Sequence, residues 1–183
     1  MIRAVSVLVL AGMLSAACQG NSPAPPVAKA GALPDSADQM MFGVWFLLSD
    51  AGVRRAEVRA DTAYMYDQNT RTDLRKVKTD FFKATGEKNA TLTSLTGQYN
   101  SRLGTMEARG MVVVITTDGR KLESPQLRYD PGRNEISSDS VFVLTQTDRR
   151  IEGIGFISDP DLKNIKVLRN AKAFGQEITI PKQ

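Results

Sequence analysis

Residues Leu92–Val114 read LTSLTGQYNSRLGTMEARGMVVV, and residues Leu122–Leu144 read LESPQLRYDPGRNEISSDSVFVL. The two segments superimpose without a gap at an offset of thirty positions. Leu92 and Ser94 recur as Leu122 and Ser124, and Tyr99-Asn100 recurs as Tyr129-Asp130. Met106 recurs as Ile136, while Val112 and Val114 recur as Phe142 and Leu144. Each unit reads strand, Tyr-Asn or Tyr-Asp turn, strand, turn. An imperfect earlier copy runs through Val58, Ala60 and Tyr66-Asp67. One offset shared at this many positions marks a structural repeat rather than chance likeness among hairpins.

The period inside each unit is two, so successive side chains alternate between faces. In Thr105–Thr116 one face carries Met106, Ala108, Gly110, Val112 and Val114, and in Glu135–Thr145 the equivalent face carries Ile136, Ser138, Ser140, Phe142 and Leu144. That face is apolar but begins with small residues, which predicts a surface short of side-chain mass near one end. The same pattern predicts strands over 40–48, 53–66, 72–82, 90–99, 121–129 and 150–157. Turn signals separate them, among them Ser49-Asp50-Ala51-Gly52, Asp67-Gln68-Asn69, Thr117-Asp118-Gly119 and Asp130-Pro131-Gly132. No stretch has an amphipathic helical period. The fold class is therefore all-β, a meander of antiparallel strands in repeated hairpin units. Stacked strands of this kind form either an apolar trough or the filled core of a sandwich.

The chain of 183 residues has no histidine and one cysteine, Cys18. Without histidine, Ser-His-Asp and Cys-His catalysis cannot be built, and zinc loses its usual ligands. Asp159-Pro160-Asp161 is the nearest thing to a carboxylate pair and reads as a surface turn. No catalytic residue, metal or cofactor is expected. Lys and Arg number 24 against 20 Asp and Glu. The two signs alternate along the chain, without the basic block that nucleic acid demands. No phosphate-binding GxxxxGK[ST] loop is present, so any ATP would be hydrolysed by a partner.

The N-terminus predicts the address. Met1-Ile2-Arg3 is a positive n-region, and Ala4–Ala17 is an uncharged run of 14 residues. That length suits a signal peptide and is short for a membrane-spanning helix of about 20 residues. The run ends in Leu14-Ser15-Ala16-Ala17-Cys18, which is similar to the lipobox of bacterial lipoproteins, with Ser15 where leucine is usual. Cys18 is thus the expected lipid anchor. The Pro- and Ala-rich stretch from Cys18 to Asp38 reads as a flexible tether reaching at most roughly 65 Å. Expected organisation is signal peptide 1–17, tether 18–38, β-domain 39–174 and tail 175–183.

Four segments together resemble the LptC family of lipopolysaccharide-export proteins. They are Ser49-Asp50-Ala51-Gly52 before an alternating strand; Leu122-x-Ser124 with Leu127-x-Tyr129-Asp130; Ile136-x-Ser138-Asp139-x-Val141-x-Val143; and Ile151-x-Gly153-x-Gly155-Phe156. The tether and lipobox resemble a lipoprotein variant of a family whose members often keep a transmembrane helix. The resemblance implies a twisted, open β-jelly roll shared with the periplasmic bridge protein LptA. It implies a non-enzymatic role, in which lipopolysaccharide passes with its lipid A acyl chains inside the β-groove. The implied partners are the inner-membrane ABC transporter (LptB, LptF, LptG) and an LptA-like bridge, with no nucleic acid. The implied location is the periplasm, anchored at the inner membrane. The alternative is a structural adaptor that docks periplasmic β-domains without carrying lipid.

Candidate groove residues are Trp45, Tyr99, Val112, Val114, Tyr129, Phe142, Leu144 and Phe156. Gly52 is a candidate turn or interaction residue. Gly153 and Gly155, inside an apolar strand, point to a bulge or to close approach by a ligand or backbone.

Overall fold

The structure is a computed structural model that describes residues 37–175. It contains β1 (Gln39–Asp50), β2 (Val53–Tyr66), β3 (Arg71–Phe82), β4 (Lys88–Asn100), β5 (Thr105–Thr116), β6 (Lys121–Asp130), β7 (Glu135–Thr145), β8 (Arg149–Ser158) and β9 (Lys166–Gly175). All nine lie in one sheet in sequence order, each antiparallel to the next, with β1 and β9 at the edges. The expected signal peptide, the acylated Cys18, nearly all of the tether and the tail beyond Gly175 lie outside the described residues.

Eight strands fall where the alternation places them. The alternation does not predict the ninth, and the reason is physical. Nearly all of β9 is exposed, so its sequence, KVLRNAKAFG, carries no buried face to impose a pattern.

Local chemistry sets the turns. Ala51 and Gly52 both have positive φ (47° and 78°), the two-residue hairpin loop whose twist matches the flanking strands. Gly52 is therefore a turn glycine. Asp67, Gln68 and Asn69 are also left-handed and reverse the chain between β2 and β3.

Almost every strand is interrupted near its middle. Gly43, Lys76, Gly110, Met111, Gly155 and Asn170 have positive φ, and the β4–β5, β5–β6, β6–β7, β7–β8 and β8–β9 pairings all shift register there. Each bulge bends its strand, and a row of them across the sheet makes a crease. The sheet folds along it. Phe81 on β3 meets Tyr129 on β6 with ring centroids 4.8 Å apart. Phe46 on β1 likewise meets Tyr99 on β4 at 5.3 Å. In a flat sheet, strands three apart would be separated by about 14 Å. Two layers therefore face each other, made of strand halves, with the core between them.

The small residues on the inner face mark this crease rather than one end of the sheet. Ala108, Ser94, Ser124 and Ser138 are all buried there. The serines also supply donors and acceptors where the ladder breaks. Ser94 Oγ donates to the Thr96 carbonyl at 2.9 Å, and Ser124 Oγ lies 2.9 Å from the Gln126 carbonyl and 3.0 Å from that of Val141. Ser138 Oγ accepts the Ser140 N–H at 3.1 Å. A larger side chain would not fit the bend, and an apolar one would leave buried carbonyls unpaired.

Candidate functional site

The space between the layers is a continuous apolar strip. Its fully buried members include Val58, Leu74, Phe81, Val114, Leu122 and Leu144. Among the buried residues of the described chain, the only charged one is Asp80. Its register partners Glu57 and Thr91 alternate with inward Val58 and Leu92, so it sits on the outer face. Burial would raise the Asp80 pKa, but hydrogen bonds from Lys88 and Thr91 outweigh it and hold the carboxyl below the usual range. The strip is bordered by half-buried Val44, Phe46 and Tyr99 at one end and by Ile151, Ile165 and Val167 at the other.

Seven of the eight candidate groove residues converge here. Val112, Val114, Tyr129, Phe142, Leu144 and Phe156 are buried in the strip, and Tyr99 sits at its border. The Phe142 and Phe156 rings meet at a tilt of 59° with centroids 4.9 Å apart. Burial pushes the Tyr129 phenol far above its ordinary pKa, so it stays neutral. Trp45 does not join them. It pairs with Arg59, out of phase with inward Val44 and Phe46, and is 57% exposed on the outer face. Phe46, Phe81 and Val167 belong to the strip but are not among the candidates read from sequence. Phe46 and Phe81 sit on the inward phase of β1 and β3, and that alternation was a usable signal. Val167 lies on the unpatterned β9.

The interior is packed shut. The small gap lined by Thr79, Phe81, Met106 and Tyr129 is only about 10 Å³. Covalent continuity joins the layers only through the crease, while side chains hold the lips together. Arg120 Nη1, in the β5–β6 turn, donates to the Asp161 carbonyl of the β8–β9 loop at 3.0 Å.

The glycines separate into distinct roles. Gly155 adopts φ +74° at the crease, which disfavours any side chain. Gly153 allows close approach: a Cβ there would lie 2.5 Å from Val167 Cγ1 and 3.0 Å from Phe142 Cε1. Of the two expected explanations, Gly155 sits opposite the bulge that Asp139 and Ser140 make in β7, and Gly153 is a close contact with β9.

Asp159 and Asp161 form a turn. The Asp159 carboxylate accepts Lys163 N–H at 2.9 Å, Asn164 N–H at 3.3 Å and Asn164 Nδ2 at 2.6 Å. Burial would raise its pKa, but hydrogen bonds involving Asp161, Asn164 and Lys163 lower it. A carboxylate held ionised by turn donors is not a poised general acid. Among the described residues no group of three metal-ligating side chains converges.

The LptC family model, described as lipopolysaccharide-assembly, LptC-related, matches residues 4–175. The chain belongs to this family. The crystal structure of LptH, the LptA homologous periplasmic component of the lipopolysaccharide transport device of Pseudomonas aeruginosa, is similar, with a TM-score of 0.50 at 16% identity. That match covers 69% of this chain and 89% of LptH and shows a shared fold, the open antiparallel β-jelly roll. No curated protein matches the chain. Within the LptC family the creased sheet is the jelly roll that the resemblance implied, and family membership places the chain in lipopolysaccharide transport.

Proposed function

We propose that this chain receives lipopolysaccharide from an inner-membrane ABC transporter and passes it, acyl chains inward, between the two layers to the next periplasmic jelly roll. It performs no chemistry itself and is held at the inner membrane through a lipid on Cys18. The observation that carries this reading is the charge-free apolar strip, bordered by partly exposed apolar residues at both ends. The packed interior requires the layers to part, hinging at the crease while the lips separate. The exchange is close to balanced, because the apolar surface that opening uncovers is covered again by the acyl chains. Each acyl methylene buried contributes about 0.8 kcal/mol. The free edges of β1 and β9 offer backbone N–H and C=O groups to neighbouring β-domains, LptF or LptG at one edge and an LptA-like bridge at the other.

The filled core also favours a second reading, an adaptor that aligns β-domains and carries no lipid. Photo-crosslinking side chains at Val112 and Phe142, with the outward Glu107 as control, separate the two in cells exporting lipopolysaccharide. Lipopolysaccharide adducts at the interior positions alone support transfer. Adducts to protein only, with none to lipid at Val112 or Phe142, support the adaptor and overturn transfer.

A further inference from the structure

A second apolar surface lies on the outer face, on the other side of the sheet from the transfer strip. It is a concavity of about 980 Å³ crossing β5 to β9. Outward Met111, Val113, Pro125, Val141, Val143 and Ile154 supply most of its apolar lining, and Val112, Ser124, Phe142 and Gly153 of the inward phase also border it. The outward side chains are out of phase with the core. Val113 and Val143 alternate with buried Val112, Val114, Phe142 and Leu144, and Met111 and Val141 are 71% and 57% exposed. An outer strand face in water ordinarily carries polar residues, as the Arg59, Lys78 and Asp80 region does here.

The charges around this concavity are arranged asymmetrically. Its two carboxylates are already neutralised within their own strands: Glu123 by Lys121 at 2.7 Å and Glu152 by Arg150 at 2.7 Å. The cations of neighbouring β9 are not, and of these Lys172 lines the concavity while Arg169 and Lys166 lie beside it. In register, Lys172 stands opposite Glu152, Arg169 opposite Ile154 and Lys166 opposite Ile157, so all three share the outer face of β9. Among the described residues none of the three has a carboxylate within 4.0 Å. The result is an apolar floor with a row of unpaired cations along one rim.

We propose that this outer concavity binds one anionic phospholipid, with acyl chain on the floor formed by Met111, Val113, Val141 and Ile154 and headgroup phosphate against Arg169 and Lys172. The floor and the rim together select the ligand. A free anion would gain nothing from the apolar lining, and a neutral amphiphile would gain nothing from the cations. The size selects too. Pockets of about 300–1,000 Å³ enclose one small ligand, whereas lipid A carries several acyl chains. The site shares the backbone neighbourhood of Val112 and Phe142 with the strip but presents the opposite phase of the strands, and its test reads outward methyls that the strip does not contain.

The test uses the full chain with Cys18→Ser, so that no attached acyl group competes, and methyl NMR of its Met, Ile and Val residues. The titrants are dihexanoyl phosphatidylglycerol and, as the neutral control, dihexanoyl phosphatidylcholine, both below their micelle concentrations. Expected are saturable shifts at Met111, Val141 and Ile154 with phosphatidylglycerol bound about ten-fold or more tightly than phosphatidylcholine, since each cation near an anionic lipid is worth about 1 kcal/mol. Val141→Lys, at an exposed position, should abolish saturation at the outer methyls. The Arg169→Gln, Lys172→Gln double variant should erase the headgroup preference while leaving the melting temperature unchanged, since it removes the cations without opposing a second carboxylate to Glu152. Shifts confined to interior Val58, Val77 and Val114 would overturn the proposal, as would equal affinity for the two lipids in the parent. Tighter binding of a tetra-acylated lipid A precursor at the same outer methyls would overturn the phospholipid assignment.

Discussion

Replacing Gly153 by alanine adds one methyl group at the point where three strands meet. That carbon would lie 2.5 Å from Val167 Cγ1, 3.0 Å from Phe142 Cε1 and 3.2 Å from the Arg169 carbonyl oxygen. Non-bonded carbons rest at about 3.5–4.0 Å, so at least two neighbours must move. None moves freely. Val167 is β-branched and stiff at χ1, Phe142 is packed at a tilt against Phe156, and the Arg169 carbonyl is backbone of β9. Overpacking of this kind costs about 1–3 kcal/mol. The alanine recovers about 0.4–1 kcal/mol by restricting the unfolded chain. The net expectation is a loss of about 1–2 kcal/mol from these two contributions. Urea unfolding followed by circular dichroism should show a lower midpoint at constant slope. The double variant Gly153→Ala, Val167→Ala removes the closest clash and should recover about 1 kcal/mol relative to the sum of the single changes. If Gly153→Ala matches the parent, or if the two changes are additive within about 0.5 kcal/mol, close approach by β9 is not what requires glycine here.

Phe142→Ala empties the centre of the strip and should cost about 3–5 kcal/mol in urea unfolding, and an unchanged midpoint would contradict the packed core. Gly52→Ala should cost about 1–2 kcal/mol, because alanine must hold the left-handed conformation that closes the β1–β2 hairpin; the urea midpoint reports it. Gly155→Arg should abolish complementation in an export-deficient strain, since its φ of +74° and the Leu168 side chain 3.1 Å away leave no room; export sustained by that variant would refute the constraint. Asp80 is more acidic in the folded chain than in the unfolded one, where its pKa is about 3.9. Its stabilisation is therefore complete above that value and lost as pH falls toward the folded pKa. Asp80→Asn should lower the urea midpoint at pH 7 and flatten its fall below about pH 4, measured as midpoints across that range.

The alternation of residues is enough to place eight strands and to say which face of each turns inward. Val112, Val114, Phe142 and Leu144 are buried where the thirty-residue repeat puts them. Ser94, Ser124 and Ser138 are visible as small residues on the apolar face, but their purpose is not. Their hydroxyls matter because the ladder breaks beside them, and a break in pairing is a property of two strands together. β9 is not legible because Val167 is its one half-buried residue and all the others are exposed, so a core hardly constrains its composition. Trp45 groups with the interior on aromatic character alone, whereas its phase relative to Phe46 puts it outside.

What the sequence by itself determined is local and periodic: strands, turns, the inward face, the absence of histidine-based chemistry, and a family resemblance carried by the order of its motifs. Only the tertiary structure decided whether the apolar faces make an open trough or a closed core. That choice depends on how the bulges of successive strands add up into one crease, which brings Phe81 against Tyr129 across three strands. It also showed that β9, silent in sequence, brings Lys172 beside apolar residues of β5, β7 and β8, with Arg169 opposite Ile154 of β8. Pairing energy and side-chain volume are settled between strands, so no reading of one strand at a time contains them.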